Sequence, residues 1–401
     1  MRLHRNLVFT VIDSLNLIFN EDVYAHKAVE TALKKDSRWG SRDRKFVAET
    51  IYEIVRWKRL YNEIAETKDH YSRENLWKIF TVWAVLRGIK LPDWKYFENA
   101  PVRRIKGKYD EVIKTRKIKE SIPDWLDELG AKELGQKWDK EIAALNLQAP
   151  VVLRANTLRS SRFNVEKALN AEGVETRVDA NYSSALILKE RKNIFTTDAF
   201  KSGLFEVQDA SSQLVAEFLD VKPGMRVIDT CAGAGGKTLH LAALMENKGQ
   251  IIAMDIYAAK LKELKRRAKR AGAHNITTKL IDSSKTIKKL KETADRVLID
   301  APCSGLGVLK RNPDAKWKLQ PEFIENIKKT QTEILENYTK MVKKGGKLVY
   351  ATCSILPSEN QEQVAKFLGN NEGYKLVKEK KILPSKSGFD GFYMALIEKQ
   401  S

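Results

Sequence analysis

Hydrophobic residues in the first third of the chain recur every three or four positions, which is the spacing of one buried helix face. One such stripe consists of Leu7, Val8, Val11, Ile12, Leu15 and Phe19, and another consists of Leu76, Ile79, Phe80, Trp83 and Leu86. We predict a helical domain over residues 1–145, in which the aromatic side chains pack into the core. The stretch between Pro92 and Ser121 is rich in Lys and Arg, and there we predict a basic, loop-like connector.

The N-terminal stripe follows Arg2 and Arg5, an order that also occurs in signal peptides. Asp13, Asn16 and Asn20 interrupt the apolar run, and no small-residue cleavage site follows it. We therefore predict an amphipathic helix at this end of the chain. No other stretch is apolar over the length that a membrane span needs, so we expect no membrane partner.

After Pro150 the hydrophobic pattern changes to short runs bounded by polar residues. Residues 146–205 combine short apolar runs with one helical stripe, which predicts a small α+β unit. From residue 206 to residue 401, strand and helix patterns alternate, which indicates an α/β fold with a doubly wound parallel sheet. The predicted strands cover residues 226–229, 250–255, 276–282, 296–300 and 347–350, and the predicted helices cover residues 210–219, 237–245, 258–271, 323–342 and 360–368.

A glycine-rich turn follows the first strand of the predicted sheet, where such folds bind nucleotide-like ligands. The turn reads Cys231, Ala232, Gly233, Ala234, Gly235, Gly236 and Lys237. A phosphate-binding P-loop needs glycine where Cys231 stands, and a dinucleotide fingerprint needs glycine where Thr238 stands. S-adenosylmethionine, which has no phosphate, fits better, with its amino-acid end resting on the backbone of the turn.

Aspartates end three successive strands of the predicted sheet, namely Asp255, Asp282 and Asp300. Each alone is common as a helix cap or a turn residue, but together they line one rim with hydrogen-bond acceptors. An acidic residue at the end of the second strand typically binds ribose hydroxyls, which assigns Asp255 to the ribose of the cofactor. The rim therefore favours a methyl donor over a nucleotide phosphate.

The chain carries 72 Lys and Arg against 52 Asp and Glu, a net charge of +20. Such an excess favours a polyanionic partner, and nucleic acid is the simplest one. Three cysteines without a C-x-x-C pair, together with only five histidines, argue against a disulfide framework and against a bound metal. Free thiols fit a reducing compartment, so we expect the protein in the cytoplasm.

Two of the cysteines, Cys303 and Cys353, each follow a predicted strand and should lie at the ligand-binding edge of the sheet. A methyl donor beside two thiols suggests methylation at carbon 5 of a pyrimidine. A thiolate that adds to carbon 6 makes carbon 5 nucleophilic. Asp300, shortly before Cys303, is the candidate to support the charge that develops on the ring. The residues alone do not distinguish the nucleophile from the second thiol.

Residues 206–401 resemble the RNA (cytosine-5) methyltransferase family of the Sun/Fmu type. The matching segments cover residues 207–213, 229–237, 300–305, 311–317, 350–354, 359–360 and 390–393, and they include the Pro-Cys motif at Cys303 and the Thr-Cys motif at Cys353. The resemblance implies a Rossmann-like class I methyltransferase domain. The family usually has proline where Ala234 stands, and alanine can adopt the same backbone conformation.

The resemblance also implies a role for each residue of the predicted site. Cys353 would attack carbon 6, Cys303 would help to release the product, and Asp300 would lie at the methyl group and the target base. Asp255 would hold the ribose and Asp282 the adenine end of the cofactor.

More weakly, residues 1–145 resemble the NusB-like domain of the same family. Arg154 and Asn156 belong to a segment that resembles the start of the family's small RNA-binding unit, which implies contact with RNA. Lys310 and Arg311 belong to a segment that lies near the active site in the family, which implies contact with RNA phosphate.

The implied activity is transfer of a methyl group from S-adenosylmethionine to carbon 5 of a cytidine in RNA. The implied substrate is small-subunit (16S) ribosomal RNA, and we expect a monomer. Two alternatives stay open: a cytidine of tRNA, which the same residues would serve, and a non-catalytic RNA-binding factor of ribosome assembly. A site that methylates amino groups would typically show Asn/Asp-Pro-Pro-aromatic, where this chain has Asp300, Ala301, Pro302 and Cys303.

Overall fold

The computed structural model describes residues 2–68 and 70–400. Its α-helices are α1 (Arg5–Phe19), α2 (Ala25–Lys34), α3 (Ser41–Arg56), α4 (Lys58–Ala65), α5 (Arg73–Leu86), α6 (Val102–Val112), α7 (Arg116–Lys119), α8 (Asp124–Leu134), α9 (Trp138–Leu145), α10 (Arg162–Ala171), α11 (Asp198–Lys201), α12 (Ala210–Phe218), α13 (Gly236–Leu244), α14 (Ala258–Ala271), α15 (Ser284–Lys288), α16 (Ala315–Lys318), α17 (Pro321–Tyr338), α18 (Gln361–Asn370) and α19 (Pro384–Ser387). Its strands are β1 (Val152–Ala155), β2 (Thr176–Arg177), β3 (Ala185–Leu188), β4 (Phe205–Val207), β5 (Arg226–Asp229), β6 (Gln250–Asp255), β7 (Ile276–Leu280), β8 (Ala294–Asp300), β9 (Val342–Thr352), β10 (Tyr374–Ile382) and β11 (Phe392–Lys399).

The chain divides into two compact units. The first comprises Met1–Leu147 and Leu309–Leu319, and the second comprises Gln148–Val308 and Gln320–Ser401. The chain therefore leaves the second unit after Val308, contributes one short segment to the first, and returns at Gln320.

The first unit is helical, as the hydrophobic spacing predicts. The apolar faces of α1, α3 and α5 form its core, in which the fully buried side chains include Val8, Val11, Ile12, Leu15, Ile51, Ile54 and Phe80. Trp77 and Trp83 are also buried in this core, which confirms that the aromatic stripe serves packing. The N-terminal stripe is the amphipathic helix α1, as predicted.

The basic stretch that the sequence suggests to be loop-like contains helices α6 and α7, so that prediction is wrong. Ile105 and Val112, two turns apart on α6, are buried against the helical core. Arg104 and Lys108, on the same helix, both donate hydrogen bonds to the Glu66 carboxylate. Four of the six residues between the two buried positions are charged, with both signs present, and they obscure the helical period.

The segment Leu309–Leu319 packs into the first unit through specific contacts. The indole N–H of Trp317 donates to the backbone carbonyl of Val55 over 2.7 Å. The Lys316 ammonium is buried and donates to the Asn146 side-chain carbonyl over 3.0 Å. Burial lowers the pKa of Lys316 well below its ordinary value.

The second unit begins with a four-stranded antiparallel sheet of order β2-β3-β1-β4. Buried side chains of β1, β3 and α10 form a small core of their own, which includes Leu153, Val165, Leu169 and Leu186. A separate domain over residues 146–205 remains a prediction.

The larger sheet of the second unit has the order β10-β11-β9-β8-β5-β6-β7. Its five strands from β9 to β7 are parallel, as the alternating pattern predicts, whereas β10 and β11 are antiparallel. The sequence reasoning missed the last two strands. β10 is an edge strand whose exposed residues are mostly Lys and Glu, and such charges hide the period of a strand while protecting the edge from pairing.

Both faces of this sheet are covered. Val227 and Leu298 point into one hydrophobic layer, whereas Ile228 and Val297 point into the other. Strands buried on both faces read as continuous apolar runs, which is why β5 and β8 were recognisable. Among the described residues, no helix combines the length and the apolarity that crossing a bilayer requires.

Candidate active site

The predicted site residues meet at one edge of the large sheet, because its central strands are parallel and their carboxyl ends share that edge. Asp255 and Asp300 are the last residues of β6 and β8, and Cys353 directly follows β9. Asp282 lies two residues beyond the end of β7, where it accepts a hydrogen bond from the Thr286 hydroxyl over 2.6 Å. The edge therefore presents carboxylates and thiols together.

The glycine-rich turn between β5 and α13 has the conformation that its glycines allow. Gly233 and Gly235 adopt φ angles of +54° and +88°, and a Cβ atom at Gly235 would lie 2.6 Å from the Leu264 side chain. The Gly233 amide donates to the Asp255 carboxylate over 2.8 Å, which joins the turn to the end of β6. A Cβ atom at Gly233 would meet no protein atom within 4 Å, so the turn borders open space.

Two arginines, the buried Arg154 and the partly exposed Arg267, support this turn from the protein side. Arg154 donates to the Gly236 carbonyl over 2.6 Å and to the Gln208 side chain. Arg267 donates to the Ala234 carbonyl over 2.9 Å. These contacts hold two carbonyl groups of the turn, and they give Arg154 a place in the fold that the sequence did not suggest.

The four predicted RNA-binding residues belong to two different units, Arg154 and Asn156 to the second and Lys310 and Arg311 to the first. Arg154 and Asn156 are only 1 % and 2 % exposed, and Asn156 donates to the Gly203 carbonyl over 2.8 Å. As placed, both residues support the interior of the second unit rather than offering a surface to RNA. Lys310, which is buried, and Arg311 belong to the first unit, and their contact with RNA stays a prediction.

Lys237 and Asp300 form an ion pair at the centre of the edge. The Lys237 Nζ atom lies 2.7 Å from the Asp300 carboxylate and 5.2 Å from the centre of the Phe392 ring. Burial lowers the pKa of Lys237, but the Asp300 carboxylate and, to a smaller extent, Cys353 outweigh burial, so that the pKa is raised. The ammonium therefore keeps its charge beside the thiol-bearing loops.

Asp229, the last residue of β5, is buried beneath the turn. Burial raises its pKa to about 7, although the Thr238 hydroxyl, which donates to its carboxylate over 2.7 Å, acts in the opposite direction. Cys231 follows two residues later, and burial raises the pKa of its thiol as well. Both groups favour their neutral forms.

The Sγ atoms of Cys303 and Cys353 lie 3.2 Å apart. The contact with Cys353 and, after it, burial raise the pKa of the Cys303 thiol well above its ordinary value. Cys303 therefore retains its proton, and the pair can share one hydrogen bond between the sulfurs.

Backbone contacts hold the two cysteine loops against each other. The Gly307 amide donates to the Cys353 carbonyl over 2.9 Å, and the Gly307 carbonyl accepts from the Gly391 amide over 2.8 Å. A Cβ atom at Gly307 would lie 2.2 Å from the Gly391 carbonyl oxygen and 2.7 Å from that of Cys353. Only glycine allows the loops this approach.

The sequence reasoning missed how the two cysteine loops are coupled. The signal was present, because both loops read Cys-Ser-x-Leu, at Cys303 and at Cys353. Both serines donate to one buried carboxylate, that of Glu359.

The residues at this edge fit S-adenosylmethionine. Its ribose hydroxyls and its amines are hydrogen-bond donors, and Asp255, Asp282 and Asp300 supply acceptors. The cation of the turn, Lys237, is already paired with Asp300, so the edge is not built for a phosphate. The open space beside Gly233 leaves room for the amino-acid end of the cofactor.

Comparison with known proteins yields two family matches. Residues 216–398 match the family described as 16S rRNA methyltransferase RsmB/F. Residues 122–195 match the ferredoxin-like domain of RsmF/B-like methyltransferases.

Relatives align over most of the chain. The probable ribosomal RNA small subunit methyltransferase B of Synechocystis is 31% identical over 92% of this chain and 90% of its own length. The corresponding protein of Bacillus subtilis is 33% identical over 84% of this chain and 76% of its own length.

Solved structures agree with these matches. The crystal structure of PH0851 aligns with a TM-score of 0.85 and 27% identity over 100% of both chains. A methyltransferase homologue from Pyrococcus horikoshii aligns with a TM-score of 0.63 and 28% identity over 71% of this chain and 97% of its own. At this identity and coverage the relatives show the family: the chain belongs to the RsmB/F family of 16S rRNA methyltransferases, and S-adenosylmethionine is its methyl donor.

Proposed function

We propose that the protein methylates carbon 5 of a cytidine in 16S ribosomal RNA through a covalent intermediate in which Cys353 Sγ is bonded to carbon 6 of the base. The observation that carries the proposal is the pair of thiols 3.2 Å apart at the same sheet edge as the Lys237–Asp300 ion pair and the glycine-rich turn. A single thiol would serve many purposes, but two thiols beside a methyl-donor site suit a reaction that must form and then break a bond to sulfur.

The cofactor would lie along the glycine-rich turn, with its ribose at Asp255 and its adenine end at Asp282. When bound, S-adenosylmethionine supplies an electrophilic methyl group at the edge of the sheet. Arg154 and Arg267, which lie behind the turn, keep its carbonyl groups in place, so the turn is preformed before the cofactor binds.

Cys353 would be the nucleophile, the role that the family resemblance implies for it. The raised pKa of Cys303 favours the protonated form of that sulfur, which suits a thiol that acts later in the reaction. Addition of Cys353 Sγ to carbon 6 moves electrons onto the ring and gives carbon 5 the nucleophilic character that methylation requires.

The ion pair suits the Watson–Crick edge of cytosine. Lys237 Nζ is a hydrogen-bond donor, and it would donate to ring N3. This nitrogen gains negative charge as the thiolate adds to the ring. The Asp300 carboxylate is an acceptor for the exocyclic amino group. Uracil reverses this pattern, with a donor at N3 and an acceptor at O4, so the pair selects cytosine.

Cys303 would act when the product leaves. After methylation water takes the carbon 5 hydrogen as a proton, the electron pair of that C–H bond restores the double bond between carbons 5 and 6, and the bond between carbon 6 and Cys353 Sγ breaks. The departing sulfur regains negative charge, and the Cys303 thiol lies within hydrogen-bond reach to stabilise it. This division of labour explains why the reaction would need both thiols.

Ribosomal RNA as the substrate rests on the relatives and on charge. The relatives named above are ribosomal RNA small subunit methyltransferases, and the chain carries a net charge of +20, which favours phosphate contacts. The target would be an unstacked base, because carbons 5 and 6 are hard to reach inside a helix.

Transfer of labelled methyl from S-adenosylmethionine to RNA from cells that lack the protein tests the proposal. After the RNA is separated by size, mass spectrometry identifies the modified nucleoside. We expect 5-methylcytidine in small-subunit ribosomal RNA. The same nucleoside in tRNA would overturn the substrate, and RNA binding without transfer would instead favour an assembly factor.

Two variants test the thiol roles. Cys353→Ala should lose methylation and form no covalent adduct with RNA, because the nucleophile is gone. Cys303→Ala should still attack and methylate, but accumulate as an adduct that survives a denaturing gel. An adduct that requires Cys303 and persists without Cys353 would reverse the assignment.

A further inference from the structure

The Glu359 carboxylate is fully buried, with 0% exposure, between the two cysteine loops. Its Oε1 atom accepts from the Ser304 hydroxyl and from the Ser354 hydroxyl, each over 2.5 Å. Its Oε2 atom accepts from the Ser304 amide over 2.8 Å and from the Gln331 side chain over 3.0 Å. One carboxylate therefore binds the residue after Cys303 and the residue after Cys353.

The two loops meet this carboxylate in the same way. The Ser304 hydroxyl oxygen accepts from the Leu306 amide over 3.3 Å, and the Ser354 hydroxyl oxygen accepts from the Leu356 amide over 3.2 Å. Each serine thus accepts from the amide two residues ahead and gives its single proton to Glu359. The repeated Cys-Ser-x-Leu sequence forms two matching turns about a shared acceptor.

The contacts use the full hydrogen-bonding capacity of an ionised carboxylate. A carboxylate only accepts, at about four lone-pair sites on two oxygens. Among the described residues, Glu359 accepts two hydrogen bonds on each oxygen. An amide in its place would turn a donor group toward donors, so the charge, and not only the shape, of this side chain matches the site.

Further contacts fix Glu359 from its own side of the site. Its backbone carbonyl accepts from the Tyr350 hydroxyl over 2.8 Å, which ties it to strand β9. The next residue, Asn360, accepts from the Thr352 hydroxyl over 2.5 Å and donates to the Ser354 carbonyl over 3.0 Å. The carboxylate is thereby held at a set distance from the end of β9, where Cys353 follows.

We propose that Glu359 is the positioning residue of the thiol pair: its carboxylate clamps the Cys303 and Cys353 loops so that the two sulfurs stay within reach of each other. The catalytic role of Glu359 rests on the proposed function, but the spacing of the two sulfur atoms can be tested without it. Glu359 acts through Ser304 and Ser354 and takes no part in bond making.

A dithiol-specific reagent measures that spacing directly. Phenylarsine oxide condenses with two thiols, forming two As–S bonds and one water molecule from the arsenic-bound oxygen and the two thiol protons. Both cysteines are partly exposed, and their sulfurs are 3.2 Å apart, so the pair can bind one arsenic atom. We expect the full-length protein to capture one equivalent in a form that resists monothiols, and Cys303→Ala to lose that capture.

The decisive comparison is between Glu359→Gln and Glu362→Gln. Glu362 is exposed on α18, so Glu362→Gln makes the same change from carboxylate to amide away from the two cysteine loops. We expect Glu359→Gln to slow arsenical capture about tenfold or more, since buried donors that lose their acceptor push the loops apart. Glu362→Gln should react as the unmodified protein does. A folded Glu359→Gln variant with unchanged capture would overturn the proposal.

Variants that lack only one of the two serine hydroxyls keep the proposal testable if Glu359→Gln does not fold. Ser304→Ala and Ser354→Ala each remove one hydroxyl donor and leave the Oε2 contacts in place. We expect each variant to slow arsenical capture less than Glu359→Gln does. Each should still bind S-adenosylmethionine, as measured by calorimetry. Equal capture in both serine variants and the unmodified protein would contradict the clamp.

Kinetics with RNA separate positioning from general loss of structure. We expect Glu359→Gln to lower kcat with little change in the KM for RNA or for S-adenosylmethionine, because Glu359 contacts neither ligand in the proposed scheme. Glu359→Asp, which keeps the charge, should recover part of the lost capture and part of kcat. The arsenical result needs no RNA, so failure of the clamp and failure of the proposed function are distinguishable.

Discussion

The Lys237 ammonium lies 2.7 Å from the Asp300 carboxylate, and the two residues come from different elements, the start of α13 and the end of β8. The pair joins the cofactor turn to the loop that carries Cys303. Its geometry gives a donor and an acceptor side by side, which is the arrangement that a cytosine edge requires in the proposed reaction.

Removal of either charge should therefore act on the chemical step. We expect Lys237→Met and Asp300→Asn each to lower kcat for methyl transfer by roughly 10²–10³-fold, which is typical of a lost electrostatic contact to developing charge. The measurement is single-turnover transfer of labelled methyl to RNA, together with adduct formation on a denaturing gel.

A surface ion pair of the same unit supplies the control for these variants. Lys222 and Asp220 lie 2.8 Å apart but are largely exposed. Lys222→Met should leave kcat within the error of the measurement, because exposed pairs contribute little. Full activity of Lys237→Met would rule out the proposed recognition of the base by the ion pair.

Much of this site was predictable because its residues stand where apolar strand patterns end in the sequence. Apolar runs that stop at Asp255, Asp300 and Cys353 predict a parallel sheet with these residues on one edge, and the structure has that arrangement. What the linear pattern did not contain is which side chains touch. The pairing of Lys237 with Asp300 depends on how α13 packs over the sheet, and no local spacing encodes it.

Glu359 and Arg154 show that the sequence pattern does not reveal which charged residues are buried. Glu359 looks like an ordinary polar residue of a loop, yet it is buried because donors from both cysteine loops surround it. Arg154 looks like a cation available to RNA, yet β1 buries it and two acceptors bind it. Charge in a sequence predicts exposure only when no internal partner exists.

The Gly307 position gives a second prediction. Gly307→Ala would place a Cβ atom 2.2 Å from a backbone oxygen, and backbone cannot move aside as a side chain can. We expect a loss of about 1–3 kcal/mol in stability and a fall in methyl transfer, because the cysteine loops must separate. Thermal denaturation and the arsenical assay both report this change.

Gly369→Ala is the matched control for the loop glycine. Gly369 lies near the end of α18, where an added Cβ atom meets nothing within 4 Å. That variant should keep full activity and gain up to about 1 kcal/mol from helix propensity. Equal behaviour of the two alanine variants would show that the contact at Gly307 is not needed.

The raised pKa of Asp229 predicts a dependence of stability on pH. Its ordinary value is 3.8, and in the folded protein it is about 7, so the folded state holds a proton that the unfolded state has released between these values. The contribution of Asp229 to the free energy of unfolding is fully present below pH 4 and is lost as pH rises through about 7. The total loss is on the order of 4 kcal/mol.

Asp229→Asn isolates that contribution, since asparagine mimics the neutral carboxyl. We expect the variant and the unmodified protein to unfold alike near pH 4, and the variant to become relatively more stable as pH rises to 8. Thermal denaturation at a series of pH values measures the difference. A constant difference across this range would mean that Asp229 does not titrate there.

Arg154 offers the sharpest separation between a structural and an RNA-binding cation. We expect Arg154→Gln to weaken S-adenosylmethionine binding about tenfold, because the Gly236 carbonyl of the turn loses its donor. The slope of RNA affinity against salt concentration should stay unchanged, since a lost phosphate contact would reduce it by about 0.7–0.9. Arg177, exposed on β2, is the control, and Arg177→Gln should leave cofactor binding intact. A shallower salt slope for Arg154→Gln, with normal cofactor affinity, would return Arg154 to the RNA interface and leave the turn without its proposed support.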